Sequence, residues 1–88
     1  MNKKLVFDGD GFDDYLYWQM QDRKTLRRIN QLIKDIDRNG HDGLGKPEPL
    51  KYKRQGYWSR RIDDEHRLVY TIDKDTIHIF SCRFHYDE

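Results

Sequence analysis

The chain has 88 residues, of which 35 % are hydrophobic and 38 % charged, and its net charge is +1. It is long enough for one small domain over residues 1–88, its 14 % aromatic residues favour a packed core over disorder, and it contains no apolar run long enough to enter a membrane. The one cysteine, Cys82, excludes an internal disulfide and fits a reducing compartment, so we expect a soluble, cytoplasmic protein with Cys82 on a strand in the core.

The N-terminal part of the chain predicts a strand followed by a helix. Residues 4–7, Lys-Leu-Val-Phe, are mostly apolar and precede a glycine-rich turn, which is typical of a short opening strand. Asp10 is the expected N-cap of the helix. The apolar stripe of this helix consists of Phe12, Tyr15, Leu16 and Met20, which recur at helical spacing. Trp18 lies partly off that stripe.

A second helix is predicted between Asp22, which can act as its N-cap, and Asn39-Gly40, where glycine can adopt the left-handed conformation that ends a helix. Its apolar seam consists of Leu26, Ile29, Ile33 and Ile36. Its basic face carries Arg23, Lys24, Arg27, Arg28, Lys34 and Arg38. Residue types alone leave two interpretations of these bases equally open, a solvated helix face or a docking surface for RNA or an acidic partner.

The stretch 46–61 concentrates positive charge around one carboxylate. Its cations are Lys46, Lys51, Lys53, Arg54, Arg60 and Arg61, and its only acid is Glu48. Pro47 and Pro49 keep the backbone of Glu48 extended and outside any helix. Phosphate contacts need Lys or Arg, and proton transfer needs a carboxylate or a histidine, so the stretch suits a site that binds a polyanion and does proton chemistry on it.

After residue 56 the pattern changes to the two-residue alternation of strands. We predict three antiparallel strands, at 57–62, 66–72 and 76–86, joined by tight turns. The order strand, helix, helix, strands predicts an α+β domain, in which two N-terminal helices pack on one face of a small, mainly antiparallel, twisted sheet.

Alternation also predicts which strand residues face the helices. On the strand 66–72, Leu68, Tyr70 and Ile72 share the face toward the helices, which directs Arg67 to the other, open face. The last strand has apolar residues of both parities, which indicates either two covered faces or a bulge before His85.

The residues left for chemistry are Glu48, Arg67, His85 and Tyr86. No glycine-rich phosphate motif and no paired histidine spacing occurs, so we expect neither a cofactor nor a metal. RNA cleavage without a metal needs a base, cations around the phosphate and an acid, which Glu, Arg and His can supply. On residue types alone the alternatives stay open: a surface ion pair for Glu48, an ordinary exposed Arg67 and a frayed terminus at His85-Tyr86.

Several motifs, spread over nearly the whole chain, together resemble those of a known protein family. They are Gly45-Lys46-Pro47-Glu48-Pro49-Leu50-Lys51, Trp58-Ser59-Arg60-Arg61-Ile62, Glu65-His66-Arg67-Leu68-Val69-Tyr70 and Cys82-Arg83-x-His85-Tyr86. In this order they closely resemble the YoeB/Txe toxins of the RelE superfamily. The resemblance implies a RelE-like fold and a ribosome-dependent, metal-independent endoribonuclease that cuts mRNA in the ribosomal A site.

The same resemblance implies roles and partners. Glu48 would be the general base, His85 the general acid, Arg67 a stabiliser of the transition-state phosphate, and Tyr86 an orienting or stacking group. The expected RNA-binding residues are Lys46, Lys51, Lys53, Arg60 and Arg61. The expected partners are the 70S ribosome with its mRNA, a second copy of the chain, and a YefM-like antitoxin through whose complex alone DNA is contacted.

The chain departs from the family pattern at two places. Asn39-Gly40-His41 stands where the family usually has Asn-Pro-Phe, which predicts a looser loop, and Asp87 and Glu88 follow the terminal His-Tyr pair. Two other functions remain open on sequence grounds. They are a non-catalytic ribosome- or RNA-binding module and an antitoxin-bound transcriptional co-repressor, although no DNA-recognition motif is present.

Overall fold

A computed structural model describes residues 1–85 of the chain. Its elements are β1 (Lys4–Phe7), α1 (Gly9–Gln21), α2 (Arg23–Asn39), β2 (Glu48–Pro49), a 3₁₀ turn (Tyr52–Arg54), β3 (Trp58–Arg61), β4 (Arg67–Asp73) and β5 (Thr76–Ser81). The strands form one sheet in the order β1-β5-β4-β3-β2, in which β1 is parallel to β5 and the other neighbours are antiparallel. The predicted α+β fold with a mainly antiparallel sheet is confirmed.

The hydrophobic core lies between the two helices and one face of the sheet. Its buried members are Trp18, Ile29, Leu32, Ile33, Ile36, Ile62, Leu68, Tyr70, Ile77, Ile79 and Cys82. The predicted core face of β4 is confirmed, since Leu68 and Tyr70 are fully buried and Ile72 packs against the cluster. Cys82 is buried as expected, one position beyond β5. Among residues 1–85 no helix combines the length and the apolar character needed to cross a membrane.

The start of α1 differs from the prediction. Asp8, and not Asp10, is the N-cap, because its carbonyl oxygen accepts a hydrogen bond from the amide of Phe12 at 2.9 Å. The amide of Asp8 itself donates to the carbonyl of Ile79 at 3.0 Å, as a continuation of the β1 pairing. The chain therefore passes from β1 into the helix without an intervening loop, and Asp10 lies inside the first turn.

The face that α1 turns toward the sheet also differs from the prediction. Gly11 and Trp18 are buried, whereas Phe12, Leu16 and Met20 are 47, 40 and 81 % exposed. A Cβ atom on Gly11 would lie 2.5 Å from a carbonyl oxygen of β5, so this glycine lets the helix backbone contact the strand directly. That close approach directs the Gly11 side of α1 inward and leaves three residues of the predicted stripe outside, whereas the fourth, Tyr15, packs against the core as predicted.

Both predicted ends of α2 are confirmed. The side chain of Asp22 accepts hydrogen bonds from the amides of Lys24 at 3.1 Å and Thr25 at 3.4 Å. At the other end Gly40 has φ 65°, and its amide donates to the carbonyl of Ile36. Both ends are stabilised by contacts close in sequence, which is why the pattern could predict them.

The last strand is shorter than predicted, because β5 ends at Ser81 and not at residue 86. Val69 pairs with Ser81 and the next residue, Tyr70, pairs with Ile79, so Phe80 is an extra residue in β5. This bulge shifts the alternation after Ile79 and accounts for apolar residues of both parities on one strand.

Candidate active site

Glu48 lies on the edge strand β2, which is only the pair Glu48–Pro49. It pairs with Ser59 of β3, and the approach to it is fixed by a hydrogen bond from the amide of Arg61 to the carbonyl of Gly45 at 2.7 Å. Prolines are tolerated on an edge strand because no neighbour needs their missing N–H. The side chain of Glu48 is exposed, and its backbone is extended as predicted.

Strand register places Glu48 and Arg67 on the same face of the sheet. Glu48 is opposite Ser59, Ser59 is opposite Val69, and Arg61 is opposite Arg67. Paired residues project to the same face, and residues two apart on one strand share it, so all five lie on the face away from the helices. This face is not open throughout as predicted, because Ser59 and Val69 are buried. With ~4.8 Å between strands and ~3.3 Å per residue, the backbones of Glu48 and Arg67 are roughly 12 Å apart, a gap that two long side chains and a bound phosphate can span.

Arg67 begins β4 beside the 63–66 turn. Its guanidinium Nη1 donates to the carbonyl oxygens of Asp63 at 2.7 Å and His66 at 3.1 Å, and the residue is half-buried. The turn is itself ordered by the Asp63 carboxylate, which accepts hydrogen bonds from the amides of Glu65 and His66. The cation is thus restrained at one end of the sheet.

The chain beyond β5 returns to Arg67. The amide of Arg67 donates to the carbonyl oxygen of Phe84 at 3.0 Å, and His85 is the next residue. The backbone of His85 thus follows directly on a residue bonded to Arg67, and the exposed side chain lines a pocket with Asp10, Asp13 and Asp14 of α1. Tyr86, the fourth predicted catalytic residue, lies outside the described residues.

The predicted RNA-binding cations divide into two groups. Lys46, Lys51, Lys53 and Arg61 are exposed. The prediction for Arg60 is wrong, because Arg60 has no exposed surface. Alternation directs neighbouring strand residues to opposite faces, so Arg60 points toward the helices and Arg61 away from them. The shared parity of Trp58, Arg60 and Ile62 was the sequence signal that could have revealed this.

Buried Arg60 joins the loop after α2 to the sheet. Its guanidinium forms an ion pair with Asp35 at 2.5 Å. It also donates to the carbonyl oxygens of Gly40, Asp42 and Leu44 and to the hydroxyl of Tyr70. Partial burial acts to raise the pKa of Asp35, but hydrogen bonds from the Leu44 amide, Arg60 and Asn39 outweigh it and lower that pKa.

This network contradicts the expected looseness of the loop. His41 stacks on Trp58 with ring centroids 4.0 Å apart and planes 11° from parallel. Burial, with a smaller contribution from the charge of Arg60, lowers the pKa of His41, so the neutral ring is favoured in this stack. The loop that leads to Glu48 is anchored from both sides.

Sequence reasoning missed the side chains that contact the C-terminal segment, among them Asp14 and Trp18 of α1. Asp14 accepts a hydrogen bond from the amide of Cys82 at 3.0 Å, and the indole of Trp18 donates to the carbonyl of Cys82 at 2.7 Å. Burial raises the pKa of Asp14, and burial raises the pKa of the Cys82 thiol to about 12, so this thiol is not a nucleophile. Contacts between residues this far apart in the chain leave no recognisable pattern in the local sequence.

In the part of the chain that the structure describes, His, Cys, Asp and Glu side chains form no group of three or more that could bind a metal ion.

Residues 7–86 match the model of a protein family described as YoeB-like toxin of bacterial type II toxin-antitoxin system. The chain belongs to this family. It is 52 % identical to Toxin YoeB of Escherichia coli, over 94 % of this chain and 99 % of that protein, and 58 % identical to Toxin YoeB of Synechocystis, over 94 and 96 %. This YoeB-like toxin is thus the toxin member of a type II toxin–antitoxin system.

Solved structures agree with the family assignment. The YoeB dimer from Staphylococcus aureus has a TM-score of 0.92 and 50 % identity, covering 98 % of this chain and 100 % of that one. The YoeB chain in a heterotetrameric YoeB-YefM complex from the same organism has a TM-score of 0.90, 50 % identity and the same coverage. YafQ from Escherichia coli, at 15 % identity and a TM-score of 0.77, shares the fold alone.

Proposed function

We propose that this YoeB-like toxin is a ribosome-dependent endoribonuclease, which cleaves mRNA in the ribosomal A site without a metal and thereby inhibits translation. The observation that carries the proposal is the register of Glu48 and Arg67 on one face of the sheet, together with the backbone bond from Arg67 to Phe84, the residue before His85. A carboxylate, a guanidinium and an imidazole are the groups that metal-free cleavage needs.

In the proposed reaction Glu48 removes the proton from a ribose 2′-hydroxyl. The 2′-oxygen attacks the adjacent phosphorus, the bond from phosphorus to the 5′-oxygen breaks, and His85 protonates the departing 5′-oxygen. Arg67 offsets the charge that develops on the pentavalent phosphate. The products are a 2′,3′-cyclic phosphate and a 5′-hydroxyl. We assign Tyr86 a role in orienting the scissile nucleotide.

The exposed cations around this face are proposed to bind the RNA backbone of the message or of the ribosome. They are Lys46, Lys51, Lys53 and Arg61. Because each such contact releases counterions, binding through them should weaken with salt. Arg60 has no part in this surface, since it is fully buried.

The partners proposed for this chain follow from its relatives. A YoeB dimer and YoeB-YefM complexes have been solved from Staphylococcus aureus. We propose that this toxin also forms a homodimer in the cytoplasm, where ribosomes are, and that a YefM-like antitoxin inhibits it.

The test is primer extension on a translated mRNA with purified ribosomes, comparing the unmodified toxin with Glu48→Gln, Arg67→Ala and His85→Gln. Loss of a general base or acid should reduce cleavage by roughly 10²- to 10⁴-fold. Asp75→Asn at the opposite end of the sheet and Lys4→Ala on β1, the edge strand opposite β2, are charge-matched controls that should keep full activity.

Ribosome co-sedimentation separates catalysis from binding. The proposal predicts that Glu48→Gln still sediments with ribosomes while it no longer cleaves. Cleaved products should carry a 5′-hydroxyl. Full cleavage by both Glu48→Gln and His85→Gln, or equal cleavage of free and translated message, would overturn the proposal.

A further inference from the structure

The backbone of the segment between β5 and His85 is hydrogen-bonded to other elements at Cys82 and Phe84, and the guanidinium of Arg83 between them lies over the ring of Tyr17 in α1 at 3.5 Å. At Cys82 both backbone groups are bonded by side chains of α1. The amide donates to the Asp14 carboxylate at 3.0 Å, and the carbonyl accepts from the Trp18 indole at 2.7 Å. The first anchor of the segment is therefore α1.

At Phe84 both backbone groups are bonded by the start of β4 and the residue before it. The amide of Phe84 donates to Nδ1 of His66 at 2.8 Å, and its carbonyl oxygen accepts from the amide of Arg67 at 3.0 Å. We name the pair of bonds at Phe84 the Phe84 clamp. It is the last described attachment before His85.

The backbone of Phe84 is in a conformation that needs such a clamp. Its φ is 69°, a left-handed value that is unfavourable for a bulky side chain and persists only where surrounding contacts determine it. Packing of the phenyl ring is a weak source of that constraint, because the residue is 55 % exposed. The two backbone hydrogen bonds therefore restrain the direction in which the chain continues to His85, together with the guanidinium of Arg83, which lies over the Phe84 ring at 4.5 Å.

The imidazole of His66 is well suited to this contact. An amide N–H can only donate, so Nδ1 must carry its lone pair, and the ring proton of the neutral form is on Nε2. Nε2 lies 3.5 Å from the carboxylate of Glu65, and the side chain is 12 % exposed. The ring also contacts Trp18 edge-on at 4.8 Å between centroids. Both neighbours stabilise the ring orientation that presents Nδ1 to Phe84.

We propose that His66 is a positioning residue, whose Nδ1 acceptor determines the backbone geometry of Phe84 and so fixes the position from which the chain presents His85, one residue after its bond to Arg67. The geometric part stands on the structure alone, and its catalytic consequence rests on the function proposed above. His66 itself touches no reacting atom in this scheme.

Two amide substitutions at His66 test whether the hydrogen-bond acceptor at the Nδ1 position is what matters. In His66→Asn the side-chain oxygen is attached at the same distance from Cβ as Nδ1 and can accept from the Phe84 amide. In His66→Gln the same amide group is one methylene further out and cannot occupy that position. Both variants lose the ring and its contact with Trp18, so a difference between them reports the hydrogen bond to Phe84.

The expected result is a kcat for His66→Gln that is roughly 10- to 100-fold lower than that of the unmodified toxin, with little change in KM for the ribosome–mRNA complex, because misplacement of a catalytic group affects the chemical step. His66→Asn should restore kcat to within roughly threefold of the unmodified toxin. Equal kcat values for the two variants would refute the positioning role.

Amide hydrogen exchange of Phe84, measured by NMR on the purified toxin, tests the clamp without any activity. Exchange should be slow in the unmodified toxin and in His66→Asn and much faster in His66→Gln, and equal exchange in both variants would overturn the clamp. His85→Ala separates the two proposals. If it cleaves at full rate, the proposed function fails while the exchange experiment still decides the clamp. If it is inactive and the two His66 variants have the same kcat, the positioning role fails alone.

Discussion

Replacement of the buried Arg60 by methionine should strongly destabilise the protein. The guanidinium has no exposed surface, and the side chain of its partner Asp35 is 14 % exposed. Arg60→Met leaves the Asp35 carboxylate without its cation and three loop carbonyl oxygens without their donor. Breaking a buried pair by removing one partner costs about 3–5 kcal/mol. A domain of this length has roughly 4–13 kcal/mol of stability in total.

Urea unfolding followed by tryptophan fluorescence, at one protomer concentration, measures this loss. A loss of 3 kcal/mol also corresponds to a Tm lower by at least about 12 °C. Arg61→Met is the matched control, because this neighbour has the same charge but is exposed, and its effect should stay within about 0.5 kcal/mol. Asp35→Leu combined with Arg60→Met should recover part of the loss, since no buried charge is then left alone.

A loss below about 1 kcal/mol for Arg60→Met, or a similar loss for Arg61→Met, would refute the reasoning that the buried network anchors the loop. Such a result would mean that the loop carbonyls are hydrated as readily as they are bonded.

Two further predictions concern α1 and the loop after α2. Gly11→Ala should lower the free energy of unfolding by about 1–3 kcal/mol, because the new methyl group meets the β5 backbone. Gly9→Ala is the control, since a Cβ there has nothing within 4 Å, and it should be neutral or stabilising by about 0.5 kcal/mol. Equal effects of the two substitutions in urea unfolding would contradict this prediction. The pKa of His41 in the folded protein lies below its usual 6.5, so the stability that neutral His41 contributes is intact above that pH and decreases as the pH falls. The difference in the free energy of unfolding between pH 7.5 and 5.5 should therefore be smaller in His41→Phe than in the unmodified protein. Identical pH profiles of the two proteins would contradict this prediction.

The sequence by itself determined the features that depend on near neighbours in the chain. α2 begins after Asp22 and ends at Gly40, and both boundaries are stabilised by hydrogen bonds between residues no more than four apart. Two prolines keep the backbone of Glu48 extended whatever surrounds it. The alternation on β4 likewise predicted the side on which Arg67 lies. Each of these follows from local backbone chemistry, so a pattern of a few residues contains the necessary information.

Only the tertiary structure decided the features that depend on which surfaces meet. The inward face of α1 follows from the contact of Gly11 with β5, and the burial of Arg60 follows from the position of Asp35 across the core. The direction of the chain at Phe84 follows from its bond to His66, 18 residues away. These outcomes are set by close packing and by the need of buried polar groups for partners, and both act between segments that the sequence does not place side by side.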